Sequence, residues 1–391
     1  MKVLHTSDWH AGKLWKGRSR LDELAAVLED LAETIERDRV DLLVMTGDIF
    51  DSPSPAAEAE RLVFGFFRRV GRLGVPSVVI AGNHDSPARV EAWGQLAELA
   101  LVTTAGIPKL AGRGGCVPVE TRNGRAMVAM VPFAPVARLV SAQQFGDAPE
   151  RAPGRYAAEM DRLVARTCEG FAADAVNLLL AHTHVEGARL GGTERRVHVT
   201  DDWAASLATF PRTAQYVALG HIHFHQQLHG AAAPTWYAGS PMQLDFGEEG
   251  QPKAYNIVDV RPRQPARVEV RPYVGARPLR TITLSPRALH VDAAHLADRP
   301  HVRVVVEAGA GPVDGDLNRR VRAVVPGVVS VDVRVAPREE ASLPRPQGIG
   351  LDPRALYALY HESRHGVAPS PAVLAAFEDL LDVVDAVEVV S

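Results

Sequence analysis

The sequence has almost no cysteine: Cys116 and Cys168 are the only two among 391 residues. That excludes a disulfide framework and a thiolate metal site, and both residues read as ordinary core positions. Positive charge is not in excess. Lys and Arg total 43 against 47 Asp and Glu, a formal net charge of −4. This excludes a uniformly basic nucleic-acid binder but not a local basic groove. Long apolar runs are missing too. Nothing approaches the roughly eighteen consecutive apolar residues of a membrane-spanning helix. "MKVLHTSDWH" has only Val3 and Leu4 between Met1 and His5, too few for a secretory leader. A cytoplasmic protein with no membrane association is expected, and no internal repeat is visible.

What the chain does contain is the composition of a soluble globular protein, 46% apolar and 23% charged. Its length exceeds one ordinary core. "KVLHTSD", "VDLLVMTGD", "VPSVVIAGNHD", "AMVAMVPF", "AVNLLLAHTH", "YVALGHIH" and "TWYAGSP" read as short buried strands with polar C-terminal ends. Helix patterns lie between them. "LDELAAVLEDLAETIERDR" puts Leu21, Leu24, Leu28, Leu31 and Ile35 on one face, and "EAERLVFGFFRRVGRLG" is the next such segment. This alternation predicts a layered α/β domain.

The pattern changes near residue 260, where the Arg- and Pro-rich "RPRQPARVEVRPYVGARPLR" reads as a boundary. "HVRVVVEA", "DGDLNRRVRAVV" and "VVSVDVRV" then read strand, helix, strand, and "PREEASLPRPQGIG" is a second boundary. Two helices follow, opened by Asp352-Pro353 and Ser370-Pro371. The second carries an apolar stripe of Val373, Phe377, Leu380, Val384 and Val387, opposite Glu378, Asp379, Asp382, Asp385 and Glu388. The expected domains are 1–270, 278–337 and 350–391.

Polar clusters recur at the C-terminal ends of the apolar strands: Asp8 and His10, Asp48, Asn83 and His84, His182, and His221 with His223. Ligands gather at this edge of open α/β sheets. In extended chain, residues at i and i+2 project to one side, so Asp8 with His10 and His221 with His223 can each converge. Any one cluster is a weak signal, since a histidine beside a strand is more often hydrogen-bonded structure than a ligand. Together they make a donor set of Asp, Asn and His without Cys. Oxygen and imidazole donors suit Mn²⁺, Fe²⁺ or Zn²⁺ better than the all-oxygen shell typical of Mg²⁺. Two such cations sharing a carboxylate can activate water for attack on phosphorus.

"DWH", "GDIFD", "GNHD", "AHTHVEGA" and "GHIH" resemble the five motifs of the calcineurin-like metallophosphoesterases. More narrowly, "LHTSDWHAG", "GDIFDSPSP", "AGNHDSPAR", "LGHIH" and "YAGSPMQLDFGE" resemble the SbcD family, nuclease subunits of bacterial SbcCD DNA-repair complexes. The resemblance is strong from Met1 to about residue 260 and loose beyond. It implies an α/β fold, a layered β-sandwich flanked by helices, with a small α+β DNA-binding capping domain and a C-terminal helical tail. It implies two divalent cations, Mn²⁺ foremost with Fe²⁺, Zn²⁺ or Mg²⁺ as alternatives. One would be held by Asp8, His10, Asp48 and His223, the other by Asp48, Asn83, His182 and His221. His84 would stabilise the transition state or protonate the leaving oxygen, Asp85 would orient His84, and Asp51 would have a supporting role. The implied partners are an SbcC-type coiled-coil ATPase, duplex DNA ends and hairpins, and a second copy in a homodimer, which adds association with the nucleoid. A stand-alone phosphoesterase for a nucleotide, cyclic diester or phosphoprotein is the alternative, and a scaffold without metal ligands is a third class.

Other residues have two readings. Lys13, Lys16, Arg18, Arg20 and Arg89 follow the first and third motifs and have the chemistry to bind DNA phosphates or to be solvated surface charge. Trp15 can stack on a base or pack. His182 is preferred to His184 as the ligand, because it keeps the motif spacing to Gly187-Ala188. His225 is expected in a supporting or surface role and His229 in solvent. The stripe on the last helix is expected to bind a partner.

Overall fold

Successive residues of the first strand, β1 (Lys2–Thr6), bury their side chains in different layers. In the computed structural model, Val3 joins one apolar cluster and Leu4 another. The structure describes residues 1–15, 17–139, 152–192, 204–286, 289–291, 293–308, 315–335 and 352–388. After β1 come a small hairpin of β2 (Leu14–Trp15) and β3 (Arg18–Ser19), then α1 (Leu21–Arg37), β4 (Leu42–Met45), α2 (Ala57–Arg72), β5 (Ser77–Ile80), α3 (Pro87–Ala97) and β6 (Val102–Ala105). β7 (Cys116–Thr121), β8 (Gly124–Val131), a helical turn α4 (Val136–Leu139), α5 (Ala152–Thr167) and β9 (Val176–His182) follow. Next are β10 (Tyr216–Gly220), β11 (Gln226–Leu228), β12 (Thr235–Tyr237), β13 (Ala254–Arg261) and β14 (Gln264–Pro272).

Apart from the β2–β3 hairpin, these strands form two six-stranded sheets, ordered β14-β13-β1-β4-β5-β6 and β11-β12-β10-β9-β8-β7. Val3, Leu42, Val44, Val78 and Ile80 of the first sheet share an apolar layer with Val128, Leu178, Leu180, Tyr216 and Ala218 of the second. The alternate residues face outward and are buried as well. Leu4, Leu43, Met45 and Val79 pack with Leu24, Leu28, Leu31 and Ile35 of α1 and with Val63, Phe66 and Phe67 of α2. Leu179, Ala181, Val217 and Leu219 pack with Tyr156, Met160 and Val164 of α5. Burial on both faces is why the strands read as unbroken apolar runs. The result is the layered β-sandwich flanked by helices that the sequence implies.

The Arg- and Pro-rich segment after residue 260 is not a boundary throughout. Ala254–Arg261 and Gln264–Pro272 pair antiparallel and complete the first sheet. An edge strand tolerates Pro265, beside the register irregularity at Asp259–Arg261, and Pro272, at its last position. Its arginines serve the same edge: Arg271 pairs with Asp38 and with Glu269.

A three-stranded sheet, order β15-β16-β17, comprises β15 (Leu279–Leu284), β16 (His301–Ala308) and β17 (Val328–Val335), with α6 (Leu317–Val324) between the last two. The chain divides into two compact units, Met1–Val305 with Asn318–Asp332, and Val306–Leu317 with Val333–Ser391. Within the first unit, Leu279 and Val329 pack with Trp15 and Phe246. In the second unit, α7 (Pro353–His365) and α8 (Pro371–Glu388) form a pair. Asp352 accepts from Arg354 N at α7's start, Ser370 accepts from Val373 N at α8's, and the Tyr357 ring stacks on Phe377 with centroids 4.1 Å apart. Leu356, Leu359, Tyr360 and Leu380 are exposed. The side chains of Asp382, Val384, Asp385, Val387 and Glu388 lie outside the described residues. Among the described residues, no helix is long and apolar enough to cross a membrane.

Candidate metal centre

Strands β1, β4 and β5 are parallel in one sheet and β9 and β10 in the other, and the residues at their C-terminal ends meet at one edge. The backbone there is sharply bent. Asp8 (φ 51°), His10 (φ 47°), Asp48 (φ 50°) and His221 (φ 102°) all occupy the left-handed region, which costs a residue with a side chain on the order of 1–3 kcal/mol. Asp8 and His10 therefore converge through a left-handed turn and not through extended chain, as their spacing suggests. Main-chain bonds from Asp8 N to Gly47 O and from His10 N to Asp48 O, both 3.0 Å, hold that turn. Trp9 points into the core between them. It is fully buried, donates Nε1–H to Thr6 Oγ1 at 2.8 Å, stacks on Phe67 and meets Phe66 edge-on. Gly82 is needed for space, since a Cβ there would overlap the Asp48 carboxylate.

Three groups of donor atoms interlock, each with its atoms within 4.8 Å of one another: Asp8, His10 and His223; His10, Asp48 and His84; Asp48, His182 and His221. Nε2 of His10 lies 3.1 Å from Nε2 of His223 and 3.7 Å from Asp48 Oδ2. Nε2 of His182 lies 3.5 Å from the same Oδ2 and 3.0 Å from Asn83 Oδ1, which also faces His221 Nδ1 at 2.8 Å. Asp48 thus stands between two halves, its Oδ1 accepting from His84 N at 2.8 Å. The rings are held from behind. His182 Nδ1 donates to Thr46 O (2.7 Å), His10 Nδ1 meets Asp51 Oδ1 (3.1 Å), and His223 Nδ1 meets Glu248 Oε1 (3.0 Å). Each of these three rings turns Nε2 to the cluster.

Burial makes this cluster electrostatically tense. It pushes the Asp8 carboxyl up to about 7, against the pull of His182 and His223. It pushes His10 down to about 4, leaving a neutral ring with a lone pair to offer. His182 resists burial and rises to about 9, because Asp48 and then Asp8 stand beside it. Carboxylates and imidazoles crowded in an apolar shell must share protons, and a divalent cation relieves the same tension by replacing them. The donor set therefore fits divalent metal ions.

The other expected residues divide. His84 is half-buried with Nδ1 on Asp51 O at 2.9 Å. Asp85 does not orient it. The Asp85 carboxylate accepts instead from Ile49 N, Phe50 N and Gly82 N, at 3.2, 3.0 and 2.8 Å, so it ties the Asp48 loop to the Asn83 loop. Asp51 backs His10 and pairs with Lys13 Nζ at 3.0 Å. Arg20 is no surface phosphate contact: it is 5% exposed, bonded to Glu23, Gln243 O and Arg277 O, because the turn before α1 folds it inward. Trp15 is packed against Phe246 and His301 and is not available for stacking on a base. Arg18 is exposed, Arg89 pairs with Glu60 at 2.9 Å, and Lys16 lies outside the described residues. His184 is buried and joins none of the three donor groups.

His225 has a supporting place. Its Nε2 meets Asn256 Oδ1 (2.8 Å), and Asn256 Nδ2 donates to the Tyr216 hydroxyl (3.0 Å). That hydroxyl meets His5 Nδ1 (2.9 Å), and His5 Nε2 meets Thr46 Oγ1 (3.1 Å). The relay ends at the residue whose carbonyl holds His182. His229 is exposed. Burial pushes the Cys116 and Cys168 thiols up to about 11 and about 12, which leaves them inert. Sequence reasoning missed Glu248, although it ends the motif "YAGSPMQLDFGE", and Phe133, whose ring stacks on His221 at 28° with centroids 6.0 Å apart.

Comparison with known proteins agrees with this chemistry. Residues 1–225 match the calcineurin-like phosphoesterase family, a fold that implies divalent-metal binding. The chain is 33% identical over 271 residues to the SbcD chain of the SbcCD nuclease of Bacillus subtilis, covering 68% of each chain. It is 33% identical over 326 residues to the SbcD chain of Rhodobacter capsulatus, covering 77% of each. To the SbcD chain of Escherichia coli K12 it is 30% identical over 265 residues, 66% of this chain and 64% of the relative. With its fold, its donor set and these relatives in agreement, the chain belongs to the SbcD family of calcineurin-like phosphoesterases.

Proposed function

We propose that this chain is the nuclease subunit of an SbcC-type assembly and hydrolyses DNA phosphodiesters at two divalent cations, Mn²⁺ foremost. The observation that carries the reading is the pair of donor groups meeting at Asp48, whose Oδ2 is 3.7 Å from His10 Nε2 and 3.5 Å from His182 Nε2. Asp8, His10, Asp48 and His223 would hold one cation, and Asp48, Asn83, His182 and His221 the other. Cations bound there supply Lewis acidity that activates water and neutralises charge on phosphorus.

The chain's own residues do the rest. Asp51 O fixes the His84 ring through Nδ1, so that in the imidazolium form Nε2–H can pass a proton to the leaving oxygen. Asp85 anchors the two loops that carry Asp48 and Asn83. Lys13, held beside the centre by Asp51, would serve as a phosphate contact.

Three partners follow from this reading. Duplex ends and hairpins are the substrate, which implies a cytoplasmic, nucleoid-associated protein. The exposed apolar residues of α7 and α8 would dock on the ATPase. A homodimer is supported by the apolar groove of about 510 Å³ between α2 and α3, lined by Phe64, Trp93, Leu96 and Leu99, with Leu96 and Leu99 strongly exposed. Light scattering should give twice the chain mass, and Leu99→Glu a single chain; a monomeric wild type would contradict the dimer.

The purified chain, with its ATPase partner and ATP, is expected to degrade linear duplex DNA when Mn²⁺ is supplied. Hydrolysis of a small phosphodiester with no turnover of DNA under any divalent ion would favour a stand-alone phosphoesterase and overturn the nuclease reading.

A further inference from the structure

We propose that Glu248 and Lys253 are positioning residues that make the two halves of the centre unequal, the half with Asp8, His10 and His223 binding its cation more tightly. The inference rests on the two-cation reading above. His10 and His223 face each other across this half, and each has a carboxylate behind its Nδ1: Asp51 at 3.1 Å and Glu248 at 3.0 Å. Among the described residues, His182 in the other half has the neutral Thr46 carbonyl behind its Nδ1. A carboxylate behind a ligating imidazole fixes the ring and raises its basicity. The first half also has Asp8 where the second has the neutral Asn83, so with Asp48 shared it holds one more formal negative charge.

Glu248 is the stronger of the two backing groups. Its side chain is 0% exposed and that of Lys253 is 7%, whereas Asp51 and Lys13 are 28% and 29% exposed, where water weakens their pull. Glu248 Oε2 accepts from Lys253 Nζ at 2.7 Å and from Leu244 N at 3.0 Å, leaving Oε1 on His223. Lys253 Nζ also donates to His223 O at 3.1 Å and to Ser240 Oγ at 2.9 Å. The ammonium therefore grips the main chain of the histidine whose ring the carboxylate orients. A buried ion pair is a poor source of stability compared with apolar packing, which leaves the aim of His223 as its use.

The test is titration of the full chain with Mn²⁺, followed by calorimetry and by the electron paramagnetic resonance signal of free Mn²⁺. Wild type is expected to bind two ions in two resolved steps. In Glu248→Gln the tighter step should weaken by about 10–100-fold, with the weaker step unchanged. Because Glu248→Gln strands the Lys253 ammonium, the double variant Glu248→Gln/Lys253→Met is measured beside it. It should melt like wild type and still lack the tight step. A folded double variant that keeps both wild-type steps, or loses affinity equally in both, would overturn the proposal. Wild type that binds no Mn²⁺ would overturn the two-cation reading itself, and this inference with it.

Discussion

Asp48→Asn is expected to reduce DNA hydrolysis on the order of 10³-fold or more while leaving the metal-free chain folded. One buried electrostatic group in an active site is commonly worth 10²–10³-fold, and Asp48 serves both halves of the centre. Its Oδ2 lies between His10 and His182, and its Oδ1 receives the His84 N–H. An amide oxygen can still accept from His84 N, so the loop keeps its shape while the shared negative charge is gone. The check is initial rate against Mn²⁺ concentration, with circular dichroism for the fold. Asp41→Asn is the control, because Asp41 is a buried carboxylate bonded to Lys2 N and Asn123 at the opposite end of the strands. It should leave the rate intact. Activity of Asp48→Asn within tenfold of wild type would contradict the assignment.

Trp9→Ala is expected to cost about 3–5 kcal/mol of stability, the usual penalty for emptying a fully buried tryptophan site. Trp9 touches no donor atom of the centre, yet it stands between two of its residues. Its ring against Phe66 and Phe67 and its bond to Thr6 Oγ1 pin a turn in which Asp8 and His10 both hold positive φ. Without the ring, that strained turn loses its anchor and relaxes. Denaturant unfolding gives the stability change, and Mn²⁺ affinity gives the loss of aim. Trp9→Phe should recover much of the stability, lacking one hydrogen bond worth about 1 kcal/mol and the packing of the indole atoms that phenyl does not replace. A Trp9→Ala protein with wild-type midpoint and wild-type Mn²⁺ binding would show that the turn needs no anchor.

The layered core was legible in the sequence because strands buried on both faces read as near-continuous apolar runs, as in "LLVM" and the "LLLA" of "VNLLLAH". The donor residues were legible for a related reason: polar residues that end such strands stand out. Other features were hidden by chemistry that depends on three-dimensional neighbours. Nothing local distinguishes Asp8 in a left-handed turn from Asp8 in extended chain; the positive φ is imposed by hydrogen bonds to Gly47 and Asp48, far along the chain. Arg20 looks like one more base in a basic loop until Glu23 and the carbonyls of Gln243 and Arg277 enclose it. Asp85 sits beside His84 in sequence, but its carboxylate turns to the backbone N–H groups of Gly82 in its own turn and of Ile49 and Phe50 in the Asp48 loop. The proline-rich segment after residue 260 holds an edge strand, Gln264–Pro272, because an edge strand and a linker share a composition.

The central claim is that two cations sit on either side of Asp48. Its most direct measurement is anomalous scattering from crystals of the chain grown or soaked with Mn²⁺. The account predicts two manganese peaks, one ligated by Asp8, His10, Asp48 and His223, the other by Asp48, Asn83, His182 and His221. A single peak, or peaks that do not share Asp48, would contradict it.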